Sequence, residues 1–520
     1  MKQWLFTIDH KRVGILYLIG SITAFVVAGI MALLIRAEQF NPGLGVASDP
    51  NQYNTWLYFH GAVMILGFLI PGLTGFAANY LIPLMIGAKD VAFPRLNALS
   101  VWLYWMAIIV ALLTFVIPDP PDIMWTGYPP YSLLTSGNTS FYVFTLHLLG
   151  FSSILGSINI LTTIIYMRAP GMGWMQLNVF VWSIITSLTL QLIFVPVLTV
   201  GVTLLLLDKY LGTHFFDPSA GGDVLLYQNL FWFYSHPAVY VVFLPATGLL
   251  FEILSTMTKN RPFSYNMVVA AMIGVVALSG EVWMHHLYTS GMPNWIRIGQ
   301  MVTTLLISVP AGLIVISLWG TLYKAAITFN TAMYYGAACL YLLLVGGLTG
   351  IPLAMTALDL HLAETSFILG HFHFIMALFA AFSLFGAIHL YFPKISGKMY
   401  SEIVGKLSFF LNFAGVNTVF LPLFYIGAKY GMPRRYYDYP RIPEVAPFHH
   451  IATYGAIMVA VGMSIMILNW IYGATKGAKA PENPWRSASL EWTHAPTPPG
   501  PGNFPEPVKV SLDWTPYNYK

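Results

Sequence analysis

The chain has 520 residues, of which only 8% are Asp, Glu, Lys or Arg and 57% are apolar, whereas soluble domains carry about a quarter charged residues. That shortfall excludes a water-soluble enzyme, a disordered chain and a nucleic-acid-binding domain, and a net charge of +4 over such a length points to no polyanionic partner. A single cysteine, Cys339, excludes an intrachain disulfide and any site that needs two thiolates.

A helix that crosses a bilayer requires about 20 mostly apolar residues. Twelve such stretches follow one another at 13–35, 56–86, 98–117, 141–168, 179–206, 229–254, 266–288, 299–323, 331–351, 366–392, 405–428 and 451–474. They are continuously apolar rather than alternating, which favours an all-α polytopic membrane protein over a barrel. The first stretch is too long for a cleaved signal peptide and reads as a retained helix. Residues 1–475 form one twelve-helix domain, and 476–520 a tail expected to pack on the membrane surface. With an even number of spans the termini share a side. That side carries seventeen of the 24 Lys and Arg and the other side seven, so both termini are expected in the cytoplasm. Arg434 and Arg435 are an exception on the outer face.

Ionisable side chains inside spans are expensive and mark function by default. Six histidines lie there in suggestive arrangements: His60 in the second span, His236 in the sixth, His285 and His286 in the seventh, and His371 and His373 in the tenth. One such residue alone would read as a hydrogen-bonded core histidine; six together point to metal, because imidazole is the usual protein ligand for iron and copper. Positions 371 and 373 project about 200° apart on a helix and cannot share one metal, but can serve two cofactors on opposite sides. On a helix, His285 and His286 diverge by about 100° and can reach one metal if a third ligand arrives, for which His236 is available. Three imidazoles without a thiolate suit copper at an open site.

The second span reads FHGAVMILGF, the loop after it IGAKDVAFPRLN, the sixth span SHPAVY, the seventh HHLYTSGM, the tenth GHFHF, and the loop before the twelfth GMPRRYYDYP. On these six motifs the chain resembles subunit I of the haem–copper oxygen reductases, the terminal oxidases of respiration, over nearly its whole length. The resemblance implies reduction of O2 to water coupled to proton translocation, with two haems, low-spin and high-spin and expected to be a-type, and one copper ion. His60 and His373 would hold the low-spin haem iron, His371 the high-spin haem iron, and His236, His285 and His286 the copper. Tyr240, one turn after His236, matches the tyrosine that the family joins covalently to the copper histidine and uses as a source of an electron and a proton. Arg434 and Arg435 match the pair that binds haem propionates, and Arg36 and Trp125 match positions beside the haems.

Proton delivery departs from the family pattern. Asp90, with Asn79 and Asn97, matches the mouth of an Asp-led uptake route, but the glutamate two residues after the first copper histidine is Ala238 here, and Tyr234-Ser235 resembles the variant that replaces it. The lysine and threonine of the second route fall at Ile314 and Ala311. Glu281, four residues before His285, is then expected one turn below that ligand on the same face, as a desolvated proton donor. Glu252, faced by Thr304 and Ser308, is a weaker candidate for an entrance. The family's His-Asp magnesium pair appears as Ala363-Glu364, with His361 displaced, which leans the electron donor toward quinol rather than cytochrome c. A binuclear copper centre needs two cysteines, so electrons would arrive through another subunit, an electron-input subunit II. The resemblance places the protein in a prokaryotic plasma membrane, with the mitochondrial inner membrane as the lesser alternative. The competing readings are a nitric oxide reductase with non-haem iron and a non-catalytic permease or haem carrier.

Overall fold

The computed structural model describes residues 2–519 and, among them, is helical with no strand beyond two isolated bridges. Eleven helices are long and apolar enough to cross a membrane: α1 (His10–Glu38), α2 (Pro50–Met85), α3 (Pro94–Leu113), α4 (Thr139–Tyr166), α5 (Val179–Leu211), α6 (Val224–Thr258), α8 (Asn294–Leu322), α9 (Thr331–Ala354), α10 (Ser366–Ser396), α11 (Glu402–Tyr430) and α12 (Ala446–Lys476). The seventh span is shorter than its apolar run. Its helix α7 covers Tyr265–Ser279, and after Gly280 the chain tightens into a 3₁₀ turn at Trp283–Leu287. Glu281 already bonds back only three residues, to the Leu278 carbonyl at 2.9 Å.

Local chemistry sets the ends and bends. Asp9 caps α1 by accepting from the Lys11 and Arg12 amides, and Asp49 caps α2 from the Gln52 amide at 2.9 Å. Pro310 has no N–H, and its ring crowds the carbonyl four residues back; α8 accordingly breaks between Leu306 and Ser308. Both α2 and α10 widen into π-helical turns beside their histidines, at Val63–Leu69 and Pro71–Ala77 in α2 and at His373–Leu378 in α10. Such wide turns are uncommon and gather at functional sites.

Burial sorts the helices. The apolar cores of α6, α10 and α2 are 89%, 83% and 72% buried, and no other long helix exceeds 44%. The three central helices therefore carry His236, His371, His373 and His60, while the peripheral ones present apolar side chains outward. Close approach of α5 to α6 depends on Gly248, where a Cβ would lie 2.8 Å from the Phe180 Cα.

Both termini lie at the same end of the bundle. His10, at the start of α1, bonds Asn503 of the tail through Nε2 at 3.0 Å, and Lys11 Nζ reaches the same side chain at 2.8 Å. The tail is fastened across helix ends rather than lying apart from them. Asn503 also donates to the Ala88 carbonyl, Lys394 donates to the Ala495 carbonyl, and the Tyr517 hydroxyl donates to Glu252.

Candidate metal centre

His236 on α6 and His285 and His286 on the 3₁₀ turn each offer a nitrogen within 4.8 Å of the other two, the one group of three such ligands among the described residues. His236 Nδ1 stands 3.3 Å from His286 Nε2, and His236 Nε2 is buried without a partner. The trio meets at a point where the helix has already ended. With three residues per turn, consecutive side chains diverge by about 120°, and the His285 and His286 rings come to 4.3 Å between centroids. Trp232, one turn before His236, stacks on His286 at 3.7 Å with planes 9° apart, and its indole N–H donates to the Tyr128 hydroxyl. His285 Nδ1 lies 3.2 Å from the Thr304 hydroxyl. Three nitrogen donors with no thiolate nearby suit copper; Cys339 is buried elsewhere, against the Phe379 carbonyl and Ser383. The Tyr240 ring lies 5.0 Å from the His236 ring, with planes 64° apart.

His60 and His373 face each other with parallel rings, centroids 6.3 Å apart and planes within 9°. Their Nδ1 atoms bond the carbonyls of Ala28 and Leu369 at 3.1 and 2.8 Å, which leaves Nε2 of each as the ligand atom. A metal–imidazole bond of about 2 Å on either side, added to the rings' own half-widths, fills that separation with one metal ion. His371 points elsewhere, its Nδ1 held by the Gly346 carbonyl at 3.0 Å and the Thr349 hydroxyl at 3.2 Å. Gly350 leaves room for that ring, since a Cβ there would sit 2.9 Å from its Cε1. All six histidines border one cavity of about 1080 Å³, above the roughly 300–1,000 Å³ of single small-ligand sites. Its remaining wall is largely apolar and includes Tyr240, Trp125, Arg36, Arg434 and Arg435. This donor set fits haem iron and copper.

Arg36 and Arg434 are already partnered. Arg36 donates to Gln39 Oε1 at 2.7 Å and the His449 carbonyl at 2.9 Å, while its buried Nε has no acceptor. Arg434 grips Glu364 through both arms of its fork, at 2.8 and 2.5 Å, so the residue at the displaced magnesium position serves as a counter-ion. Glu364 does this from a left-handed backbone, φ 61°. Asp359, between α9 and α10, also borders the cavity and is only 4% exposed. Burial pushes its carboxyl up to about 7 against the opposing pull of Arg434. Sequence reasoning missed Asp359; its only signal was an acid five residues before Glu364 in an apolar run.

Two expectations are corrected. Glu281 is exposed on the outside of the bundle and does not line the cavity, because α7 stops at Ser279 and the i, i+4 relation to His285 is lost. We expect Glu281→Gln to leave oxygen turnover per assembled complex within about twofold, the range of substitutions remote from a site, as read on an oxygen electrode. Glu252 faces α5 and the tail rather than α8. It accepts from Tyr517 at 2.6 Å, Asn178 at 3.0 Å and the Phe180 amide at 3.3 Å, while Thr304 and Ser308 border the cavity.

Asp90 lies half-buried in the loop between α2 and α3, and burial raises its carboxyl while His10 draws it down. Asn97 is fully buried with neither amide atom partnered, and Asn79 leaves Oδ1 unpartnered. Beyond Asn79 lies a cavity of about 20 Å³ lined by Ser152, Ser153, Ser157 and Gln191. A second of the same size shares Ser153, Ile70 and Leu149 with it and ends at Tyr234. Tyr234 and Ser235 in turn border the large cavity. Each small cavity exceeds the roughly 10–15 Å³ that one water occupies.

Residues 12–458 match the family profile described as Cytochrome C and Quinol oxidase polypeptide I. The chain is 39% identical over 489 residues to cytochrome c oxidase subunit 1 of Thermostichus vulcanus, covering 94% of this chain and 88% of that one. It is also 39% identical over 501 residues to the heme-copper oxidase subunit I+III of Aeropyrum pernix, covering 95% of this chain and 61% of that one. A solved heme-copper terminal oxidase dimer shares the fold, with a TM-score of 0.75 over 90% of this chain and 84% of that one at 17% identity.

Proposed function

Because the chain belongs to the cytochrome c and quinol oxidase polypeptide I family, and so is a haem–copper oxidase subunit I, we propose that it is the catalytic subunit that reduces O2 to water in a terminal respiratory oxidase, with proton translocation across a prokaryotic plasma membrane. The observation that carries this reading is Tyr240 set beside His236 in the three-histidine group. When bound, a high-spin haem facing copper supplies the oxygen-binding metal and electrons, and a low-spin haem passes electrons to it. His371, and the trio His236, His285 and His286, would hold the first pair, and His60 with His373 the second. The Tyr240 hydroxyl stands at the reaction space as a proton and hydrogen-atom donor. Arg36, Arg434 and Arg435 supply fixed donors at the outer rim, where propionates would lie, and Trp125 forms part of the wall. Elemental analysis tests the assignment: two iron and one copper per chain support it, non-haem iron without copper supports nitric oxide reduction, and no metal supports a permease.

Protons consumed at the site enter, in this reading, at Asp90 and pass Asn79 and Asn97, the two water-sized cavities, and Tyr234 with Ser235. Asp90→Asn is expected to slow oxygen consumption about 10²-fold, the low end of what a positioned proton-transfer group contributes, with unchanged haem spectra. Turnover at the parental rate removes the route. The expected haems are a-type, checked by extracting and weighing them. The donor is quinol in preference to cytochrome c, because Glu364 is spent on Arg434 instead of a magnesium ion at the usual donor contact. Oxygen uptake by the purified complex with quinol, then with reduced cytochrome c, decides between them. In either case electrons arrive through an electron-input subunit II.

A further inference from the structure

Glu281 does not line the metal cavity, yet its position is costly. Its side chain is exposed, and its carboxylate has no hydrogen bond or ion pair among the described residues. The backbone carbonyl accepts from the Thr303 hydroxyl at 3.3 Å, which ties the residue to α8. Thr303 lies nine residues from the outer end of α8, roughly 13 Å along its axis. The exposed surface around it is apolar: Ile298, Val302 and Leu306 are 57%, 56% and 49% exposed. A charged group at such depth in hydrocarbon is expensive, and charged residues within spans normally pair with one another or face a wet interior. Glu281 does neither, since it does not line the cavity and its carboxylate pairs with no described residue. An unpaired carboxylate on an apolar face calls for a cationic complement.

We propose that the α7–α8 face is covered in the assembled enzyme by a transmembrane helix of a companion subunit, which sets a Lys, Arg or protonated His side chain against Glu281. This rests on the reading of the chain as one subunit of a multi-subunit oxidase. The isolated acid fixes the register of the helix that covers it, because a slip by one turn leaves both charges bare in lipid. The test uses the purified complex with a photo-crosslinking side chain at Val302, alongside Glu281→Lys and Glu281→Leu variants. The crosslink is expected to join this chain to a companion chain within one helical turn of a basic residue. Like-charge apposition in Glu281→Lys is expected to lower companion-subunit recovery at least about tenfold. Crosslinking to lipid or detergent alone overturns the proposal, and so does a full subunit complement in both variants. Haem and copper content of the same preparations reports separately on the oxidase reading, so failure of one is distinguishable from failure of the other.

Discussion

Replacing Tyr240 with Phe is expected to lower oxygen reduction by about 10²–10⁴-fold, the span contributed by a positioned proton donor, while haem spectra and copper content stay at parental values. Phe preserves the ring that packs 5.0 Å from His236 and removes only the hydroxyl. The copper ligands are untouched, because the trio is held by the Trp232 stack, by the Thr304 contact and by the 3₁₀ turn itself. A change confined to turnover thus isolates the hydroxyl's chemistry from site assembly. The conservative partner experiment is Thr304→Val, which loosens His285 and is read first in copper occupancy. Retention of more than about a tenth of parental turnover in the Phe variant would deny Tyr240 its role as donor.

The spans were legible because hydrocarbon demands long apolar runs with every backbone group satisfied internally, and these runs stand out in the sequence from residue 13 to residue 474. Hydropathy cannot see where a helix stops inside such a run. Residues 266–288 read as one helix, yet the α-helix ends at Ser279 and His285 and His286 sit on a tighter turn. That single change left the pairing of His236, His285 and His286 intact, since two adjacent histidines can converge on one ligand in either geometry. It reversed the position of Glu281, which depended wholly on the i, i+4 rule. The separation of His371 from His373 needed only the direction of side chains around a helix, and it holds although the backbone widens to π geometry at His373.

Partner choice was the least legible feature. A sequence shows that Glu364 replaces an expected ligand, but not that a left-handed backbone at that residue turns it onto Arg434. Nor does it show that the tail reaches back across the end of the bundle where both termini lie. Tyr517 bonds Glu252 across 265 positions, and Asn503 bonds His10 across 493. Such contacts depend on where distant segments land after the helices have packed, and no local periodicity encodes them.

His373→Ala is expected to abolish the low-spin haem signature, leave one haem per chain and reduce turnover by more than the roughly 10–100-fold that loss of an outer-shell partner of a metal ligand costs. The parallel rings of His60 and His373, 6.3 Å apart, form one clamp; removing one jaw leaves His60 unable to fix the iron in a closed, electron-transferring state. His371 is expected to be unaffected, because its Nδ1 is anchored to Gly346 and Thr349 of α9 rather than to anything that His373 touches. The reciprocal variant, His371→Ala, is therefore expected to lose the haem that binds carbon monoxide and keep the low-spin spectrum. Two residues apart on one helix, the histidines would then fail in separate, spectroscopically distinct ways. If His373→Ala keeps both haems and an unchanged low-spin spectrum, or if the two variants lose the same haem, α10 does not divide the cofactors between its two sides.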